Sequence, residues 1–138
     1  MANLLVVDDN KTNLQVLKQL LSKEYNVVPV LSGKMALHYI EKKRPDVILL
    51  DLLMPEMDGI TTMEHIRRLP NGKDIPIIFL TADDDKRTEQ SCLDAGAYDF
   101  IVKPFDYSVI NSRIDQAIQS VKLNENRKEG NSNENNRI

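Results

Sequence analysis

The sequence predicts an α/β fold in which a doubly wound, five-stranded parallel sheet carries helices on both faces. Two observations lead there. Short apolar runs, each closed by a polar residue, alternate with stretches of helical spacing, so the chain reads as a βα unit repeated five times. The runs are continuously apolar rather than alternating, which is the pattern of strands buried on both faces.

The first run is Leu4-Leu5-Val6-Val7, ending at Asp8. Asn10 to Leu21 follows with Leu14, Leu17 and Leu21 on one helical stripe. The second run, Tyr25 to Leu31, contains Pro29, which cannot donate to a ladder, so this strand belongs at an edge. Lys34 to Lys43 carries Leu37 and Ile40 and stops before Pro45. The third run, Val47 to Leu50, ends at Asp51, and Ile60 to Leu69 then places Ile60, Met63 and Ile66 on one face. The fourth run, Ile77 to Leu80, ends at Thr81; Asp84 to Ala95 follows and leaves its helix at Gly96. The fifth run, Phe100 to Val102, ends at Lys103. Ser108 to Val121 closes the series with Ile110, Ile114, Ala117, Ile118 and Val121, and Asp106 as its cap. Right-handed crossovers leave few topologies, of which the flavodoxin-like order 2-1-3-4-5 also puts the proline-bearing strand at an edge.

Composition bounds the rest. With 138 residues, 41% hydrophobic and 28% charged, the chain suits one domain with its own core. The sequence divides into a domain over 1–122 and a polar stretch over 123–138, where Leu123 and Ile138 are the only apolar residues; a disordered tail or the start of a linker is expected there. The lone Cys92 allows no internal disulfide. No run approaches the length of a membrane span, and Asp8 and Asp9 interrupt any signal peptide before its apolar region forms, so a cytoplasmic protein is expected. A formal net charge of −3 offers no basic footprint for nucleic acid.

In an open α/β sheet, ligands bind outside the carboxyl ends of the strands. The chosen topology brings Asp8-Asp9, Asp51, Thr81-Ala82 and Lys103 to that rim. Three carboxylates about 4 Å apart repel by roughly 4 kcal/mol per pair at an effective dielectric near 20. Either their pKa values rise or a cation neutralises them. Lys103 alone is too little, and an all-oxygen donor set suits Mg²⁺, or Mn²⁺ in its place. A hydroxyl and an ammonium then remain to receive an anion formed on Asp51, such as a phosphoryl group, with the backbone N–H of the small Ala82 nearby at the start of the fourth helix. Singly, each residue has a plainer role: Asp8, Asp9 and Thr81 as helix caps, Asp51 as a solvated loop residue, Lys103 as a surface charge. Their joint arrival at adjoining strand ends favours chemistry.

These residues carry a resemblance. Leu5-Val6-Val7-Asp8-Asp9-Asn10, Asp51 through Gly59 (DLLMPEMDG), Leu80-Thr81-Ala82 and Gly96 through Phe105 (GAYDFIVKPF) together resemble the receiver domain of bacterial two-component response regulators, from about Asn3 to Val121. The resemblance implies that Asp51 accepts a phosphoryl group from a sensor histidine kinase or a histidine phosphotransfer protein. It implies that Asp8, Asp9, Asp51 and the main-chain carbonyl of Leu53 hold Mg²⁺. Thr81 and Phe100 then form the switch, Lys103 pairs with the acidic site, and the Lys103–Pro104 bond is cis. Many members have tyrosine where Phe100 stands, so switching here rests on packing; Tyr98 is out of register with the motif. The face made by the fourth helix, fifth strand and fifth helix is expected to bind an output domain, a target protein or a second copy. Met54 and Met57 are expected to pack the loop, and His38 and His65 to lie away from the strand ends.

Other classes fit less well. An aspartyl-nucleophile phosphohydrolase wants a second aspartate two residues after the first, where this chain has Leu53. A flavodoxin-like cofactor binder wants a Ser/Thr/Gly-rich loop in place of Asp8-Asp9-Asn10. A receiver working without phosphorylation usually has a damaged acidic pocket, and this one is complete. The expectation is a regulatory phosphoacceptor that assists only its own phosphorylation and dephosphorylation.

Overall fold

The computed structural model describes residues 1–104 and 106–136; Phe105, Arg137 and Ile138 lie outside the described residues. Strands β1 (Ala2–Val7), β2 (Tyr25–Val30), β3 (Val47–Asp51), β4 (Ile77–Thr81) and β5 (Asp99–Val102) alternate with helices α1 (Lys11–Leu21), α2 (Gly33–Lys42), α3 (Gly59–Arg68), α4 (Lys86–Asp94) and α5 (Tyr107–Asn136). The sheet is parallel with the order β2-β1-β3-β4-β5, as the apolar runs predict. Pro29 sits in the edge strand opposite Val6.

Successive strand residues point to opposite faces, so each run feeds two cores. Leu5, Val7, Ile48, Leu50, Ile77 and Phe79 pack beneath α2, α3 and α4 with Ala36, Ile40, Met63, Ile66 and Cys92. Leu4, Val6, Val47, Leu49, Ile78 and Leu80 pack on the other face with Leu14, Leu17 and Leu21 of α1 and Ile110, Ile114 and Ala117 of α5. All five residues of β3 are buried, which explains the unbroken apolar run Val47-Ile48-Leu49-Leu50 ahead of Asp51.

Helix starts follow side-chain caps. Asn10, Ser32, Asp58 and Asp85 each accept a hydrogen bond from a backbone N–H in the first turn of the helix they precede. The fourth helix therefore begins at Lys86 rather than Asp84, because the Asp85 carboxylate takes the Arg87 N–H at 2.8 Å. The fifth helix runs past Val121 to Asn136. Apolar periodicity reports where a helix is packed and not where it stops; beyond Val121 the stripe ends, but no proline interrupts the backbone.

Candidate acidic phosphoacceptor site

Four strands end at one rim and deliver the site. Asp8 directly follows β1, Asp51 closes β3, Thr81 closes β4 and Lys103 follows β5. Asp8, Asp9 and Asp51 each present a carboxylate oxygen within 4.8 Å of the others. Asp8 and Thr81 are buried, Asp51 keeps only 9% exposure, and Asp9 faces solvent.

The caps decide between the plain and the chemical roles. Asn10 caps α1, its side chain accepting from Asn13 N at 3.1 Å, which leaves Asp8 and Asp9 free of that duty. Asp85 caps α4, so Thr81 is not a cap either; its hydroxyl accepts from Asp83 N at 3.2 Å. Ala82 consequently lies in the loop before α4 and not at that helix's first turn, a correction that follows from the later helix start. It is exposed beside the rim.

Asp8 is the best-anchored acid. Its carboxylate accepts from Asn10 N at 2.9 Å, from Asn13 Nδ2 at 3.3 Å and from Lys103 Nζ at 3.3 Å. Lys103 thus pairs with Asp8, joining residues 95 apart in sequence. Asp51 has weaker support: one N–H, from Leu53 at 3.3 Å, reaches its Oδ1. Burial pushes its carboxyl up to about 6; Asp8 and Asp9 add to the rise, while Lys103 and the Leu53 N–H oppose it. A carboxylate held this way gains from a nearby cation. The donor set is all oxygen and clustered, and it fits a hard divalent ion of the magnesium kind.

The loop Leu52–Asp58 carries the chain from Asp51 into α3. Gly59 N donates to Leu52 O at 2.9 Å, closing the turn into α3. A Cβ at Gly59 would lie 2.6 Å from the Asp51 carbonyl oxygen and 2.8 Å from the Phe79 ring, so only glycine fits. Glu56 adopts φ 66°, a conformation few non-glycine residues take. Leu53 is 59% exposed beside the site, and Met54 packs against the core under it.

Phe100 is 5% exposed and joins the core with Phe79 and Cys92, whereas Tyr98 is on the surface. The Lys103–Pro104 bond is cis. His38 is exposed on α2 and His65 half-buried on α3, both off the rim. Among the polar contacts that the sequence does not announce are Asn13 on Asp8, Arg113 on Asp99, and Tyr25 on Asp115. Only the first left a signal, since Asn10 and Asn13 have the spacing of a cap and its first turn.

Comparisons agree with this geometry. The family described as "Response regulator receiver domain" matches residues 4–115. The chain is 34% identical over 117 residues to a probable cyclic di-GMP phosphodiesterase of Vibrio cholerae, covering 85% of this chain and 26% of that one. It is 37% identical over 114 residues to the response regulator PleD of Caulobacter vibrioides, covering 82% of this chain and 25% of the relative. The chain therefore spans about a quarter of the length of these relatives. Among solved structures, it is similar to the receiver domain of the sensor histidine kinase PA1611 from Pseudomonas aeruginosa, described with a magnesium ion coordinated in the active-site cleft. The TM-score is 0.79 at 34% identity, over 86% of this chain and 98% of the other. Motifs, topology and relatives converge: the chain belongs to the receiver domain family of two-component response regulators.

Proposed function

We propose that Asp51 is the phosphoacceptor of this receiver domain and that its donor is a phosphohistidine on a sensor histidine kinase or phosphotransfer protein. The observation that carries the reading is a nearly buried carboxylate, raised in pKa, set among Asp8, Asp9 and Lys103 at the sheet rim. An Asp51 carboxylate oxygen bonds to phosphorus while the phosphorus–nitrogen bond breaks. The imidazole leaves with that electron pair and takes up a proton from water.

Asp8, Asp9, Asp51 and the Leu53 main-chain carbonyl would hold Mg²⁺, or Mn²⁺ in its place. When bound, the cation neutralises charge on the acids and on the incoming oxygens. Lys103 and the Thr81 hydroxyl receive the remaining phosphoryl oxygens, and the exposed Ala82 N–H is a further donor. Phe100 already packs inward, so phosphorylation acts by population shift. Thr81 moves toward the phosphoryl group, Phe100 is held in place, and the α4-β5-α5 face is fixed in one arrangement. That face binds an output domain, a target or a second copy. The chain is a regulatory module that assists its own phosphorylation and dephosphorylation. It works in the cytoplasm, as its place in the receiver family suggests.

The test is incubation with magnesium and a small phosphodonor such as acetyl phosphate, read by intact mass. One phosphoryl group is expected on the wild type, lost with Asp51→Asn and on chelation. An equal adduct on Asp51→Asn overturns the assignment.

A further inference from the structure

Helix α5 is gripped from both edges of the sheet within about one turn. β2 and β5 are those edges. From β2, the buried Tyr25 donates its hydroxyl to Asp115 Oδ1 at 2.6 Å and lies against the Asn111 side chain. From β5, Asp99 receives Arg113 Nη1 on both oxygens, at 2.8 and 2.7 Å. Positions 111 and 115 share a helix face while 113 points the other way, so the two contacts oppose each other across the axis. The same Asp99 carboxylate accepts the backbone N–H of Phe100 at 2.8 Å. One acidic group therefore joins α5 to the backbone of the inward-packed aromatic.

We propose that Arg113, acting through Asp99, is a positioning residue for Phe100 and holds it in the inward arrangement, with Tyr25 anchoring the opposite flank of α5. This rests on the reading of Phe100 as the residue whose placement responds to a phosphoryl group on Asp51. With side chains 42% and 19% exposed, the Arg113–Asp99 pair adds little to global stability. Its effect is on the balance between two states. The pair fixes the Asp99 carboxylate, and through it the Phe100 N–H, and so steadies the backbone from which the ring projects inward. Whatever prefers the inward state then binds more tightly while the pair is intact.

The full chain is titrated with beryllofluoride in the presence of magnesium, a mimic of the phosphoryl group on a carboxylate, and followed by ¹⁵N NMR. Arg113→Gln and Asp99→Asn are each expected to weaken uptake by about fivefold. The double variant should lose no more than either single one, because one contact is removed in all three. In the resting protein, both variants should move the Phe100 amide resonance, Arg113→Lys should move it less, and the exposed-site control Gln116→Ala should leave it in place. Unchanged affinity with an unmoved Phe100 amide would reduce the pair to a surface ion pair and overturn the proposal. If the wild type takes up no beryllofluoride, the Asp51 reading fails. The resting-state amide then decides for Arg113 alone: a shift supports it, no shift overturns it.

Discussion

Asp51 shows how a single side chain carries a stored cost. Burial pushes its carboxyl from the ordinary 3.8 of an exposed aspartate up to about 6, so folding disfavours the charged form. That contribution is favourable below about pH 4 and is lost as pH rises through about 6. The two values bound the loss at about 3 kcal/mol, less in practice because the side chain still meets solvent. In chelator at pH 8, Asp51→Asn is therefore expected to unfold at a higher temperature than the wild type, and at pH 4 to show little advantage. Equal melting temperatures at pH 8 would show that the carboxylate carries no such burden. The acids themselves were legible in the sequence because strand ends are read directly from apolar runs. The partner of Lys103 was not: which of three nearby carboxylates a flexible amine reaches depends on Asn10 and Asn13 already fixing Asp8.

At the element scale, the β3–α3 connection is the tightest piece of the site. Gly59→Ala would drive a methyl group into the Asp51 backbone and the Phe79 ring, neither of which can step aside, at a cost of about 1–3 kcal/mol. Gly96→Ala provides the contrast: nothing lies within 4 Å, and only its φ of 112° opposes a side chain. Urea unfolding of the two variants separates them, with Gly59→Ala also expected to impair metal uptake and Gly96→Ala expected to spare it. Element order, strand ends and the edge strand were readable because each is written in local hydrophobicity or in a proline. Helix boundaries were less so. Asp84 and Asp85 are chemically identical choices for a cap, and only the turn geometry selects Asp85. The end of α5 escaped because the stripe that reveals a helix belongs to its packing.

For the molecule as a whole, stability and the acidic rim are coupled. A cation that binds the folded arrangement and not the open chain stabilises it by mass action, by about 2.7 kcal/mol at a hundredfold excess over its dissociation constant. Thermal unfolding in magnesium, compared with chelator, is expected to shift upward in the wild type and far less in Asp9→Asn, which lacks one carboxylate of the cluster. An equal shift in both proteins would remove Asp9 from the binding set. The topology was legible because a parallel sheet with right-handed crossovers allows few arrangements. The contacts that tie Tyr25 and Asp99 to α5 were not, since tyrosine in a strand and arginine on a helix are unremarkable until the chain is folded.

The directionality of the sheet has a practical corollary. Because every chemically committed side chain emerges where strands finish, the bends where helices hand over to the next strand are relieved of that duty. The exposed turn Ser22–Glu24 between α1 and β2 is such a bend. A reporter peptide or a new pair of termini grafted there would leave the chemistry at the far rim undisturbed.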